Sequence, residues 1–173
     1  MIRIAIRPAL AATALALVLS ACSHPPMPAA DNHASPTAMV IAIRAANTAD
    51  KSVVQVAPLR DPSVDGYVDG ARADESAGKY PDALKKIDAA LKLSPGAPDL
   101  LQLRAEIEIL LRDYPAADVD ARRSFALGPK VGGLCASNWQ TVLEIAQAKH
   151  DDAGVAFARN ARDACHKAGP IRM

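Results

Sequence analysis

A stretch of sixteen residues occurs twice in this chain, with an interval of 34 residues between the copies. Tyr80–Pro95 reads YPDALKKIDAALKLSP, and Tyr114–Pro129 reads YPAADVDARRSFALGP. Tyr80 and Tyr114, Pro81 and Pro115, Ala83 and Ala117, Leu93 and Leu127, and Pro95 and Pro129 all keep that interval. A fixed period of this length is a strong constraint, because one helix–turn–helix unit cannot bury its apolar face alone and copies must stack. Pro81 and Pro115 fit just inside a helix start, where a missing N–H costs nothing. Ser94-Pro95-Gly96 and Gly128-Pro129 stop a helix. Between these signals Ala83, Leu84, Ile87, Ala90 and Leu91 share one face, while Lys85, Lys86, Asp88 and Lys92 stay wet.

The pattern resembles the tetratricopeptide repeat family. The residues that carry the resemblance are Tyr80, Ala83, Ala90-Leu91 and Pro95, then Tyr114, Ala117, Ser124-Phe125 and Pro129. The sequence departs from the family in having no Trp in either first helix, and in placing Ala71 and Ala105 where Gly is common. The resemblance implies an all-α fold over residues 62–167: a right-handed superhelical TPR-like α-solenoid of about three helix hairpins. It also implies a concave groove, lined by the first helix of each hairpin, that holds a peptide segment of another protein. Strict register maps Arg72, Gln102 and Glu106 onto that face, with Asn138 a looser candidate. The basic clamp with which some relatives grip peptide C-termini is not reproduced.

Asp61-Pro62 starts a helix that runs to about Ala77 and is closed by Gly78. The next first helix, from Pro98 to about Arg112, is apolar on more than one face and belongs in the middle of the stack. Strict register turns Arg104 and Glu108 towards the core. Burying either charge costs several kcal/mol, so a displacement of about one residue is expected here. A third, degenerate hairpin is expected from Cys135 to Ala148 and from Asp151 to Lys167. Ala153 and Phe157 match Ala83 and Ile87 if two residues are inserted. Trp139, the single Trp, suits core packing between the second and third hairpins better than a partner anchor.

The six aromatic residues all lie beyond residue 66, so folding is concentrated in the second part of the chain. Met1–Ala21 has a basic start (Arg3, Arg7), an apolar run and small residues, the layout of a secretory signal. It ends in Leu19-Ser20-Ala21-Cys22, which resembles the lipobox of bacterial lipoproteins. That resemblance implies cleavage after Ala21, lipid attachment at Cys22 and, with Ser23 following, an anchor in the outer membrane on its periplasmic side. Residues 22–61 then form a Pro/Ala-rich tether. As a flexible coil, the 39 residues from Ser23 to Asp61 span about 35 Å r.m.s.. Within it, Met39–Ile43 and Val53–Val56 are β-branched around Asn47–Asp50. They suit either a short β-hairpin or an extended segment lying on the open end of the solenoid. Residues 168–173 form a C-terminal tail.

Without Arg3 and Arg7, 18 basic residues face 19 acidic ones, which gives no electrostatic reason to expect nucleic acid. The sequence has no HExxH, CxxC, Gly-rich phosphate loop or GxSxG elbow. Glu106 and Glu108 do not share a helix face, and Asp151-Asp152 reads as a helix start. No catalytic residue, metal site, cofactor or small-molecule substrate is therefore expected, and the protein reads as a non-enzyme. With Cys22 lipidated, two cysteines remain in an oxidising compartment. Cys135 and Cys165 lie at equal offsets from a turn near His150, so antiparallel helices bring them level and favour a structural disulfide. The alternative is a thiol-active envelope factor using the same two cysteines. The leading expectation is a lipid-anchored periplasmic adaptor or scaffold that binds another envelope protein. It would serve secretion, pilus or outer-membrane assembly, or regulation of cell-wall enzymes.

Overall fold

The computed structural model describes residues 34–49 and 61–167. Among them are seven α-helices and no strand: α1 (Pro36–Ala49), α2 (Pro62–Ser76), α3 (Tyr80–Leu93), α4 (Pro98–Leu110), α5 (Tyr114–Leu127), α6 (Gly133–Ala148) and α7 (Asp152–Asp163). The α2–α3, α4–α5 and α6–α7 pairs are antiparallel hairpins, and α3 packs on α4 and α5 on α6 to form the stack. This is an all-α, TPR-like solenoid of three hairpins. Met1–His33 lie outside the described residues, and with them the signal sequence, Cys22 and most of the tether; so do residues 50–60, with Val53–Val56, and the tail.

Each hairpin turns through the same backbone device. Gly78, Arg112 and His150 adopt left-handed φ values of 72°, 62° and 54°. The following N–H then reaches back to the last helical turn: Lys79 to Asp74 O, Asp113 to Glu108 O, and Asp151 to Ala146 O, at 2.8–2.9 Å. Asp61, Asp113 and Asp151 cap the N-termini of α2, α5 and α7 by accepting a backbone N–H. The three turn residues are 34 and then 38 residues apart. Four residues are therefore inserted before the third turn, rather than the two expected. The longer insertion moves Phe157 to the repeat position of Val119, and both are exposed (59% and 63%). Ala158, not Phe157, enters the core, and Ala153 is exposed.

The expected one-residue displacement of α4 does not occur. Helices α3 and α5 start and end 34 residues apart, and Ala71 and Ala105 are both fully buried at equivalent positions. Arg104 and Glu108 do face the interior, and Arg104 is paired there with two aspartates. Arg104 donates from Nη2 to Asp120 at 2.7 Å and from Nη1 to Asp88 at 3.2 Å, and its Nε also pairs with Asp120. Glu108 lies 3.9 Å from Arg104.

Met39–Ile43, the first part of the segment read as β-like or extended, is helical. In α1, Met39, Val40 and Ile43 are buried, a helical spacing that puts all three on one face. Each fully buried apolar side chain contributes about 1.5–3 kcal/mol, so these three outweigh the modest helix penalty of branching in Val40 and Ile43. They join one core with Ala105, Ile109, Ala117, Ala121, Val142, Leu143, Ile145 and Ala158. A second core lies within the first hairpin and against α4, around Val64, Ile87, Leu100 and Ile107. The helical unit thus begins at α1, upstream of the boundary at residue 62.

Candidate functional site

The first helices of the hairpins, α2, α4 and α6, are those that the repeat resemblance places on a concave wall. Helix α1 packs along α4 and α6 on that wall. Its Met39, Val40 and Ile43 supply the apolar contact, and Arg44 supplies the polar one. Arg44 Nη2 donates to Glu75 of α2 at 2.9 Å, and Nε donates to Glu106 of α4 at 2.8 Å. Burial alone would lower the pKa of this guanidinium, but hydrogen bonds and charge from the two carboxylates hold it above its ordinary value. One turn further along α1, a side chain on Gly133 would collide with Asn47. The absence of a Cβ there is what allows α1 and α6 to approach.

Beneath α1 runs a row of amides and carboxylates. Gln102 Nε2 donates to Glu106 at 3.2 Å and to Thr141 Oγ1 at 3.0 Å; Gln140 Nε2 donates to Glu144 at 2.7 Å. The two Gln–Glu pairs keep the 38-residue interval of the hairpin turns. Burial pushes the carboxyls of Glu106 and Glu144 above the usual range, and Arg44, Gln102 and Gln140 only partly offset this. Beside the C-terminal end of α1 a cavity of about 120 Å³ remains, lined by Asn47, Arg72, Asp99, Gln102 and Glu106 among others. The Gln102 Oε1 atom has no hydrogen-bond partner.

The residues expected on the groove separate accordingly. Arg72 is exposed at the cavity rim, while Gln102 and Glu106 lie on the concave wall, buried under α1. Asn138 does not belong to the groove. At the 38-residue interval it takes the position of Leu100, and it is 1% exposed with neither side-chain polar atom bonded. Its place on the wall is taken by Gln140 and Glu144. The sequence reading missed these two, along with Arg44 and Glu75. The recurrence of Gln-x-x-x-Glu at 102–106 and 140–144 would have found the first two.

Cys135 and Cys165 form a disulfide with Cα atoms 5.6 Å apart, and both residues are 1% exposed. A bonded, buried pair does not support the thiol-active alternative. Trp139 is half-buried on the outer side of α6. It contacts Phe125 (centroids 5.0 Å) and Phe157 (5.5 Å), with Arg122 over its ring. Among the described residues no group of three or more His, Cys, Asp or Glu side chains could hold a metal ion, and no helix is long and apolar enough to cross a membrane.

No protein-family model and no curated protein matches the chain. A solved structure of the globular C-terminal domain of P. aeruginosa LpoP is similar, with a TM-score of 0.57 at 23% identity. The match covers 61% of this chain and 99% of that domain. At this identity the likeness shows the fold.

Proposed function

We propose that the protein is a lipid-anchored adaptor of the bacterial cell envelope, whose work is to bind another protein rather than to catalyse a reaction. The observation that carries this reading is α1 itself. A helix already lies across the concave wall, held by three apolar side chains and one arginine shared between two hairpins. A wall with that chemistry is a protein-binding surface. The anchor rests on the Leu19-Ser20-Ala21-Cys22 sequence, and an anchor followed by a stacked-hairpin domain suits a tethered binding module. The likeness to the globular C-terminal domain of LpoP adds support.

Two measurements test the reading. Photo-crosslinking in living cells from exposed positions around the groove, Arg72 and Ile41, should capture a discrete envelope protein, identified by mass spectrometry. Labelled palmitate should enter the protein, and Cys22→Ser should abolish its incorporation and release the chain from the membrane fraction. Absence of any specific crosslink, or persistent labelling of the Cys22→Ser variant, would overturn the corresponding half of the proposal. Exchanging the charges of Arg72 and Glu106 is a poor test of binding, because Glu106 is a buried partner of Arg44.

A further inference from the structure

We infer that α1 is a displaceable occupant of the concave groove, and that the partner is a helix of the same chemistry. Such a helix carries apolar side chains four residues apart, followed at once by an arginine that enters the Glu75–Glu106 clamp. The inference rests on the adaptor reading and names the class of ligand for it.

Three features carry it. First, α1 is bound much as a separate peptide would be. Only Met39, Val40 and Ile43 of its fourteen residues are buried, Ile41 is 64% exposed, and its link to α2 is the Arg44–Glu75 pair. A helix of this length is marginal in isolation, so its helicity and its docking are gained and lost together. Second, the wall is more polar than a permanent intramolecular contact requires. It places two carboxylates around one guanidinium, whereas a core contact of similar area is ordinarily apolar. Third, a cavity of about 120 Å³ lies beside Asn47 and Gln102, and Asn47 does not satisfy Gln102. A partner helix with a longer hydrogen-bond donor one turn beyond its arginine would reach that oxygen. It would thereby gain a contact that α1 lacks. Charge sets the orientation: with the acidic clamp fixed on α2 and α4, the arginine end of the helix must lie where Arg44 lies.

The test uses the full chain and a fluorescein-labelled peptide of residues 34–49. Ile43→Ala in the chain weakens α1 docking and leaves every residue of the wall unchanged, since it removes a fully buried side chain of α1 itself. The peptide, which keeps Ile43, should bind Ile43→Ala at least tenfold more tightly than it binds the wild-type chain, whose groove is filled. A peptide with Arg44→Glu should lose at least tenfold against Ile43→Ala. Equal affinities for the two peptides, or no binding to the variant, would falsify the proposal. Amide hydrogen exchange on the wild-type chain gives a second reading that needs no variant. The α1 amides should exchange at least tenfold faster than those of α4, by local opening. Protection of α1 equal to that of α4 makes it a permanent part of the core and overturns the proposal. Concentration-dependent dimerisation of Ile43→Ala in sedimentation would instead assign the groove to a second copy, which also overturns the partner class named here. Crosslinking in cells can fail while the peptide binds, or succeed while it does not, so the two readings fall separately.

Discussion

Arg104, Glu108 and Asp120 show how a charged group comes to stand inside this stack. In the first hairpin the equivalent positions hold Gly70, Asp74 and Lys86, and Lys86 pairs with Asp74 and lies against Gly70. One repeat later Asp74 has become Glu108 and Lys86 has become Asp120, so two acids meet, and Arg104 in place of the glycine supplies the missing cation. Arg104 is shared with Asp88 and lies 3.9 Å from Glu108, and Glu108 Oε2 has no hydrogen-bond partner. Burial and the neighbouring charge of Asp120 push the Glu108 carboxyl up to about 8. A carboxyl raised in the folded state favours the protonated form. Its contribution to stability is therefore full below the ordinary value of 4.5 and is lost as pH rises through about 8. Glu106 and Glu144 are shifted in the same direction. Melts should show the wild-type chain losing stability between pH 5 and pH 9 (both approximate working points), and Glu108→Gln should flatten that loss. At the upper end the variant should be more stable by about 1–2 kcal/mol, since one pKa unit is worth about 1.4 kcal/mol. Parallel pH profiles for the two proteins would rule this out. The exchange of charges at a 34-residue interval is legible in the sequence. It goes unread when Arg104 and Glu108 are judged singly, because burying a lone charge is prohibitive, whereas here Arg104 is paired with aspartates and Glu108 is pushed towards its neutral form.

At the scale of elements, the second helices, their stop signals and the caps were readable because they depend on local chemistry alone. Helix α1 was not. Its β-branched residues suggest a strand, and what makes them helical is the wall they pack on, which no local rule contains. The spacing of Met39, Val40 and Ile43 was the available signal, and it outweighs branching because burial contributes more than propensity. The hairpin turns offer a test of local strain. Gly78 takes its left-handed conformation freely, whereas Arg112, exposed at the same position, meets the steric cost of a Cβ. Arg112→Gly should raise stability by about 0.5–1 kcal/mol, the relief exceeding the added freedom of the unfolded chain. A lowered denaturation midpoint would show that the Arg112 side chain makes a contact worth more than the strain. The α6–α7 hairpin depends instead on its covalent link. Cys135 and Cys165 lie 30 residues apart and close a loop worth about 3–4 kcal/mol in the chain-entropy model. The Gly132 N–H also bonds to Cys165 O at 2.9 Å. Alkylation of the unreduced protein should find neither thiol free, and the Cys135→Ala/Cys165→Ala chain should lose most of that stability, with α7 fraying first.

For the whole molecule, the path of the chain into the stack matters most. Treating residues 23–61 as a tether set the helical domain about 35 Å from the lipid. Docked α1 changes that estimate. Ala34 and Met39 line a cavity of about 340 Å³ with Glu144, His150 and Asp152, so the chain enters beside the α6–α7 turn. Only twelve steps then separate Cys22 from Ala34, a reach of at most about 40 Å. Release of α1 extends the upstream chain to Asp61 and the reach to roughly 130 Å. With the proposed lipid at Cys22, anchoring and groove occupancy would be coupled: a partner that displaces α1 would also free the stack to move away from the membrane. The geometry can be read by energy transfer: under the proposed lipidation of Cys22, and with Cys135 bonded to Cys165, a single added thiol would be uniquely reactive. A donor at Asp152→Cys sits by the chain's entry. One at Lys92→Cys sits on the first hairpin, a helix length of about 20 Å along α3 from its turn. In vesicles carrying acceptor-labelled lipid, the donor at 152 should be quenched more strongly than the donor at 92. Ile43→Ala should shrink that difference as α1 is released and the tether lengthens. Equal quenching at both positions in the undisturbed protein would mean that the short path past the α6–α7 turn does not hold the stack near the membrane.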